Sequence, residues 1–376
     1  MSRSARDLHP GAWWLWAIGL ATAATLNTNP LISLALIGVA CLTVVMRRSD
    51  HAWSSSFQLY LIFGAVVVLI RVGFRILLGG GDGGTVILNL PEIPLPSWVL
   101  GIRLLGQVTA ESVLFGLYDG LRLAALIICV GAANSLANPK RLLKSMPPAL
   151  YEIATALVVA IAVLPQLADS LRRVRAARQL RGVPGGRIGR LRGIVVPVME
   201  DALERSMSLA AGMDVRGYGR SGGASRRQRW ITGSLMVLAL IGISMGAYVA
   251  LDQSGSRPPW LAAVLVLLGL GVTVLSFWSA GRRVQRTRYR PDSWRREEVL
   301  VAGCGLLVAT GFIGWVNDQT QVLFPAPMQP LTLTWQVLVI LLVAALPAVV
   351  SPPPVLSLDR ISATEESAID QEVVNA

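Results

Sequence analysis

Long apolar runs separated by short polar segments dominate the chain, and their length predicts helices. Eight runs reach or approach the roughly 17–25 residues that a helix needs to cross a bilayer. They lie at about 11–26, 31–46, 57–78, 112–134, 230–251, 260–280, 299–315 and 333–350. The first two are short, which leaves one re-entrant hairpin as an alternative to two crossings. The pattern predicts an all-α, polytopic membrane protein with about eight transmembrane helices.

A further apolar segment, 149–167, is expected to stay in the cytoplasm. Residues 140–144 before it carry three basic side chains, and residues 172–192 after it carry eight arginines. Because positively charged flanks favour the cytoplasmic side, a single crossing would place one of them outside. Pro147-Pro148 before the segment and Pro165 within it are also expected to interrupt its helix.

With that segment excluded, every strongly basic loop falls on one side of the membrane. The loop 282–296 holds seven arginines and is assigned to the cytoplasm. The loops 79–111 and 317–330, poor in positive charge, are assigned outside, so that both termini are cytoplasmic. The predicted parts are transmembrane helices 1–4 (1–134), a cytoplasmic helical domain inserted after the fourth (135–229), transmembrane helices 5–8 (230–350) and an acidic disordered tail (351–376).

Composition agrees with a membrane protein: 53% of the 376 residues are hydrophobic, 15% are charged, and the mean hydropathy is +0.57. The net charge of +12 does not indicate nucleic-acid binding, because most positive residues lie in short loops beside apolar runs. The three cysteines lie inside apolar runs without motif spacing and are expected to be small buried hydrophobes.

Motifs of enzymes and nucleotide-binding proteins receive little support. The sequence has no GxxxxGK[ST] phosphate-binding loop, so any ATP must be bound by another protein. The one GxSxG, at 242–246, lies inside an apolar run rather than on a strand-to-helix turn, and is expected to pack helices. We predict no catalytic residue and no metal site, and do not expect an enzyme.

Four ionisable residues lie within the third and fourth membrane helices: Arg71, Arg75, Asp119 and Arg122. Charges at such depth are costly unless they are paired or face a protein interior. Two interpretations stay open. The residues are snorkelling or mutually paired structural groups, or they contact a substrate or ion in a self-sufficient secondary transporter. Many such transporters show repeated halves, which this sequence lacks.

Two amphipathic helices in the cytoplasmic domain end alike. The first has apolar residues at three- and four-residue steps: Leu167, Leu171, Val174, Ala177 and Leu180. The second repeats this pattern with Met199, Leu203, Met207, Ala210 and Met213. They end at Arg181-Gly182 and at Arg216-Gly217-Tyr218.

These two ends have a structural and a functional interpretation. Arginine in a last turn complements the helix dipole, and the glycine after it supplies a left-handed cap. Alternatively, each arginine is a charged fork for acidic groups of a partner. The apolar stripe of the second helix is rich in methionine, which suits an adaptable interface.

Residues 138–219 resemble the coupling domain of the transmembrane (T) component of energy-coupling factor (ECF) transporters, the family that includes cobalt-transport permeases. The resemblance rests on the basic start NPKRLL (138–143), on ARQLRG (177–182) and on DVRGY (214–218). The family's Ala-Arg-Gly motif appears here as Leu-Arg-Gly and Val-Arg-Gly. Helices 1–3 also look similar, and the resemblance covers about residues 10–250.

The resemblance implies a scaffold subunit of an ECF-type ABC importer in a bacterial cell membrane. Its coupling helices are expected to contact two ABC-type ATPases, which bind the ATP, while its membrane part holds a substrate-binding S component for vitamin or metal-ion uptake. Arg181 and Arg216 would contact the ATPases, and Gly182, Gly217 and Tyr218 would shape the helix tips. No cofactor is expected in this chain.

Overall fold

The computed structural model describes residues 6–49, 56–78, 84–91, 105–145, 150–181, 187–217, 226–251, 258–281 and 293–354. Its helices are α1 (Pro10–Thr25), α2 (Pro30–Arg47), α3 (Phe57–Leu77), α4 (Ala110–Leu136), α5 (Pro139–Lys144), α6 (Tyr151–Arg181), α7 (Arg187–Val215), α8 (Arg226–Leu251), α9 (Pro259–Gly281), α10 (Arg296–Thr310), α11 (Thr320–Leu323), α12 (Trp335–Ala345) and α13 (Pro347–Val350). A π-helical turn, Gly311–Trp315, extends α10.

Seven of the described helices are long and apolar enough to cross a membrane: Pro30–Arg47, Phe57–Leu77, Ala110–Leu136, Ile153–Leu180, Trp230–Leu251, Trp260–Ser279 and Arg296–Trp315. The 16-residue α1 and the segment Trp335–Val350 are shorter. The prediction of an all-α, polytopic membrane protein is therefore confirmed. Because α6 is among the seven, its placement in the cytoplasm rests on the charge pattern and stays a prediction, as does the count of eight crossings.

The expectation that Pro165 interrupts its helix is wrong. Helix α6 runs unbroken from Tyr151 to Arg181, and α7 likewise contains Pro197. A proline removes one backbone hydrogen bond and crowds the preceding turn, which kinks or breaks a helix. In helices of 31 and 29 residues that local cost is outweighed by the hydrogen bonds on both sides. The apolar segment and the first amphipathic helix are thus one element.

Local sequence explains where the first two helices begin. Both start with proline, which suits the first helical turn because it has no N–H to leave unpaired. The His9 Nδ1 atom accepts a hydrogen bond from the Gly11 amide at 3.1 Å, and Asn29 accepts one from the Leu31 amide at 2.9 Å. These side chains satisfy amide groups that the helices leave free.

The helices cluster into two compact units, one comprising Met1–Leu142 with Asp292–Ala376, and the other Leu143–Pro291. This grouping follows packing. The predicted boundaries after residues 134, 229 and 350 follow the side of the membrane, and they stay a prediction.

In the first unit, α4 packs against α1, α2 and α3, while α10 and α12 return from the end of the chain to pack on α1 and α2. Trp16 is fully buried, and its indole N–H donates to the carbonyl of Ala344 at 3.0 Å. Helix α1 packs mainly on α4 and α10 rather than on α2. Whether α1 and α2 are two crossings or one re-entrant hairpin stays open.

In the second unit, α8 and α9 form a tightly packed pair. A Cβ atom on Gly242 would lie 3.3 Å from the Cα of Gly269, and one on Gly246 would lie 2.9 Å from the backbone nitrogen of Val266. Only glycine allows backbones to approach so closely, as in small-residue membrane interfaces. The prediction that the GxSxG motif packs helices is confirmed for its two glycines, whereas Ser244 is exposed.

The segment predicted as an external loop contains a small sheet. Strand β1 (Val86–Asn89) pairs antiparallel with β2 (Gln107–Thr109), with Leu88 opposite Val108. The carboxylate of Glu111, in the first turn of α4, accepts hydrogen bonds from the backbone amide and hydroxyl of Thr85. The sheet is thereby fastened to the start of α4.

Candidate functional site

Helices α6 and α7 pair in antiparallel orientation. Ser170 and Arg173 of α6 contact Asp201 of α7, the arginine with an N–O distance of 3.6 Å. Eight residues later in α6, the Arg178 guanidinium lies where a Cβ on Gly193 would be, eight residues earlier in α7. Since equal steps run in opposite directions along the two helices, their axes are nearly antiparallel along this stretch.

Asp201 is the polar centre of this pair. It accepts from the Arg205 Nε atom at 2.9 Å, and the hydroxyl of the buried Ser170 bonds to it across the pair. The hydrogen bond from Ser170 lowers the pKa of the Asp201 carboxyl most, and Arg205 and Arg173 lower it further. The carboxylate is therefore held ionised between two helices.

The antiparallel pairing places the two Arg-Gly ends far apart. Residue 181 of α6 comes level with about residue 190 of α7, whereas Arg216 follows the far end of α7. At roughly 1.5 Å per residue, the two ends are separated by about 40 Å along the pair. One of the two Arg-Gly ends therefore lies at each end of the pair.

The end of α7 has features of both interpretations. Gly217 has a φ of +77°, and its amide donates to the carbonyl of Asp214 at 2.9 Å, so it is a left-handed cap. Arg216 is exposed and makes no hydrogen bond or ion pair to any residue that the structure describes. The glycine thus ends the helix, and the arginine is available to a partner.

The end of α6 is described only in part. Its helix includes Arg181, as predicted, but the side chain of Arg181 and the residues Gly182 and Tyr218 lie outside the described residues. Their roles stay predictions.

The apolar stripe of α7 is open rather than packed against α6. The exposed fractions are 57% for Met199, 67% for Leu203 and 69% for Met207, while Met213 is half-buried. On α6, by contrast, Leu167 and Leu171 are half-buried next to the contact that Ser170 makes with α7. Part of the α6 stripe is thus covered, although Leu180 at its end is 89% exposed, and the stripe of α7 is open at Met199, Leu203 and Met207.

The charged residues of the membrane helices are mostly partnered. Arg71 of α3 and Asp119 of α4 form an ion pair at 3.0 Å. Arg122 donates to the carbonyl of Thr25, the last residue of α1, where a cation also complements the helix dipole. Arg75 packs its aliphatic stem beside Gly116 and is exposed at the end of α3. The structure favours the structural interpretation of these charges over a substrate site.

The basic start of the predicted coupling domain is a short helix. In α5, the side-chain oxygen of Asn138 accepts from the amides of Lys140 and Arg141 at 3.0 and 3.3 Å. This is a helix N-cap, which explains the asparagine before the proline. Within the described part of the chain, no three His, Cys, Asp or Glu side chains come together as metal ligands.

A family model described as "Cobalt transport protein" (CbiQ) matches residues 1–230, which include α1–α7 and the start of α8. The chain belongs to the cobalt transport protein family. The match contains both Arg-Gly ends and the open stripe of α7. It ends before α9–α13.

Three relatives bear the name "Energy-coupling factor transporter transmembrane protein EcfT". That of Leuconostoc gelidum subsp. gasicomitatum is 29% identical over 128 residues, which is 30% of this chain and 48% of the relative. That of Exiguobacterium sibiricum is 33% identical over 104 residues, 25% and 40% of the two chains. That of Macrococcus caseolyticus is 26% identical over 158 residues, 37% and 60% of the two chains. The alignments thus span between 40% and 60% of these relatives.

The contacts that organise the α6–α7 pair escaped sequence reasoning. Ser170 and Asp201 lie beside the predicted stripes, and nothing near either residue in the sequence identifies the other. The one signal in the sequence was Ser170, a polar residue at a position where the stripe periodicity of α6 places its apolar face.

Proposed function

We propose that the chain is the T component of an ECF-type ABC importer in a bacterial cell membrane. It would connect two ABC-type ATPases, which bind and hydrolyse the ATP, to an S component that captures a vitamin or a metal ion. Both termini and the coupling domain would lie in the cytoplasm. Membership of the cobalt transport protein family and three relatives named EcfT support this proposal.

The observation that carries the proposal is the α6–α7 pair, with its open apolar stripe and its two separated arginine ends. An exposed stripe that includes Met199, Leu203 and Met207 would cost free energy in water, and a partner groove would cover it. Arginine ends about 40 Å apart along the pair suit two separate protein partners better than one small ligand.

ATP hydrolysis would be coupled to the membrane part through the rigidity of the α6–α7 pair. Helices of 31 and 29 residues, joined by the Asp201 contacts, can move as one lever when the ATPases change their separation. Each arginine would pair with acidic groups of one ATPase, and the methionines would adapt to a surface that shifts during the cycle.

Purification from native membranes tests the proposal. The full chain, tagged at one end, is extracted with mild detergent, and the proteins retained with it are identified by mass spectrometry. We expect two ABC-type ATPase subunits, or two copies of one, and a small apolar membrane protein. A chain that is purified as a folded, monodisperse protein without any ATPase would contradict the proposal.

A further inference from the structure

The segment Arg6–His9, here called the N-terminal strap, packs against residues of the C-terminal part of the chain, between Trp294 and Pro353, rather than projecting from the protein. Leu8 and His9 are buried, with exposed fractions of 5% and 7%. The His9 ring lies against that of Trp294, with 5.3 Å between the ring centroids. The backbone amide of Arg6 donates to the carbonyl of Pro353 at 3.1 Å. A short polar tail would not be ordered in this way without specific partners.

The strongest of these partners is Glu298 in the first turn of α10. Its side chain is 1% exposed, and its Oε1 atom lies 2.5 Å from an Arg6 guanidinium nitrogen. The Oε2 atom accepts the backbone amide of Arg295 at 3.0 Å, so both carboxylate oxygens are used. A buried carboxylate requires such a pairing, because an unpaired charge away from water is strongly disfavoured.

The strap also contacts α5, the first helix of the predicted coupling domain. A guanidinium nitrogen of Arg141, in α5, donates to the carbonyl of Asp7 at 3.1 Å. Within the first unit, a series of contacts therefore links the start of α10 to α5: Glu298 pairs with Arg6, and Arg141 donates to the next residue, Asp7. Residues 6 and 298 are joined by one ion pair although they are 292 positions apart in the sequence.

We infer that the N-terminal strap ties α5 to the start of α10, with Glu298 as the positioning residue. The strap thereby fixes the point from which the coupling domain starts, so that α5 does not yield when the domain is moved. That α5 begins a domain that moves rests on the proposed function. The contacts of the strap with α5 and α10 do not depend on it. It also gives α10, which lies beyond the family match, a role in holding the start of the coupling domain.

Hydrogen–deuterium exchange of the full chain in lipid nanodiscs tests the tie. The variants are Glu298→Gln and Arg6→Gln, and the matched control is Glu297→Gln, whose carboxylate is 39% exposed and 3.8 Å from the same Arg6. We expect exchange in residues 6–9 and 139–144 to rise about tenfold in E298Q and R6Q. Exchange in E297Q should match that of the wild type.

Arg6→Gln separates the tie from a local effect on α10, because it leaves the bond between Glu298 and the Arg295 amide in place. If exchange in E298Q rises only in residues 293–300, Glu298 is a helix cap and the inference is overturned. Unchanged exchange in residues 139–144 of R6Q would overturn it as well. Retention of ATPases by the wild type is scored separately, so a chain that binds none refutes the proposed function while the exchange results still decide the tie.

Discussion

Gly305 of α10 and Trp16 of α1 are in direct backbone contact. A Cβ atom on Gly305 would lie 2.4 Å from the Cα of Trp16 and 2.6 Å from the carbonyl oxygen of Leu15. The reciprocal contact, of Gly19 with the backbone of Gly305, is as close. The two helices cross at glycines, and at this crossing α10, from the C-terminal part of the chain, packs on α1.

Substituting Gly305 by alanine should therefore separate two helices. The added methyl group meets backbone atoms, which cannot rotate away, so we expect a loss of about 1–3 kcal/mol. Gly303→Ala is the matched control, since nothing lies within 4 Å of a Cβ at that position. Thermal unfolding followed by size-exclusion chromatography should show a lower midpoint for G305A only. Equal midpoints for both variants would mean that the crossing is looser than described.

Asp201 should make the α6–α7 pair sensitive to acid. Its pKa is lowered in the folded chain, so the ionised carboxylate stabilises the pair above the ordinary value of about 3.9, and this contribution is lost as the pH falls through the lowered value. Asp201→Asn should produce the same loosening at neutral pH. Pulsed electron paramagnetic resonance between spin labels at Arg175 and Glu204, both exposed, should show a broader distance distribution.

Asp169→Asn is the control for that measurement. Asp169 is 68% exposed, and among the described residues it pairs with Arg172 of its own helix at 3.8 Å. Its substitution should leave the distances between α6 and α7 unchanged. A broadened distribution in D169N as well would assign the effect to overall charge rather than to the contact between the helices.

The cytoplasmic placement of residues 135–229 can be tested by labelling. In a variant without native cysteines, single cysteines at Ser145 and Gly185 should react with an impermeant maleimide from the same side of the membrane. A cysteine at Gln329, in the loop assigned outside, provides the opposite side. Labelling of positions 145 and 185 from different sides would show that α6 crosses the membrane, because α6 is the long helix between them.

The open stripe of α7 should be an interface. Met207→Asp places a carboxylate in its centre, and burying that charge against a partner is costly. We expect the variant to insert into the membrane normally and to lose the ATPases in a pull-down. Ser208→Asp adds the same charge on an adjacent exposed face and should keep them. If M207D retains the ATPases like S208D, the stripe is not the contact surface.

Arg181 and Arg216 should matter to partners more than to the fold. Loss of a cation at a helix end costs about 0.3–1 kcal/mol, whereas breaking a buried ion pair with a partner costs about 3–5 kcal/mol. Each Arg→Ala variant should express normally and bind the ATPases more weakly, and the double variant should bind none. Lysine should restore binding only in part, because an ammonium group cannot form a bidentate fork.

Arg172→Ala, at an exposed position of α6 nine residues before Arg181, is the control for these variants and should behave as the wild type. Retention of the ATPases by the double variant at wild-type level would reduce the two Arg-Gly ends to helix caps.

Much of the candidate site was accessible to sequence reasoning, within limits set by local chemistry. The periodicity placed Met199, Leu203 and Met207 on one face of α7, and Gly217 caps α7 as an Arg-Gly end predicts. That this face is exposed is seen only in the structure. Pro165 shows the limit, because a residue that often breaks helices lies inside one of 31 residues. Strand β1 was not predicted, because its four residues lie in a segment rich in glycine and proline that was assigned as a loop.

The sequence by itself determined the class of protein and the positions of most of its apolar helices. Both follow from the length and period of apolar runs, which are properties of neighbouring residues. The tertiary structure alone decided that α10 crosses α1 at Gly305, that Glu298 holds Arg6, and that the α6–α7 pair sets its arginine ends far apart. These relationships join residues that are distant in the chain. Whether a glycine or a carboxylate finds a partner depends on which helices pack together, and that choice minimises the free energy of the whole chain rather than of any one segment.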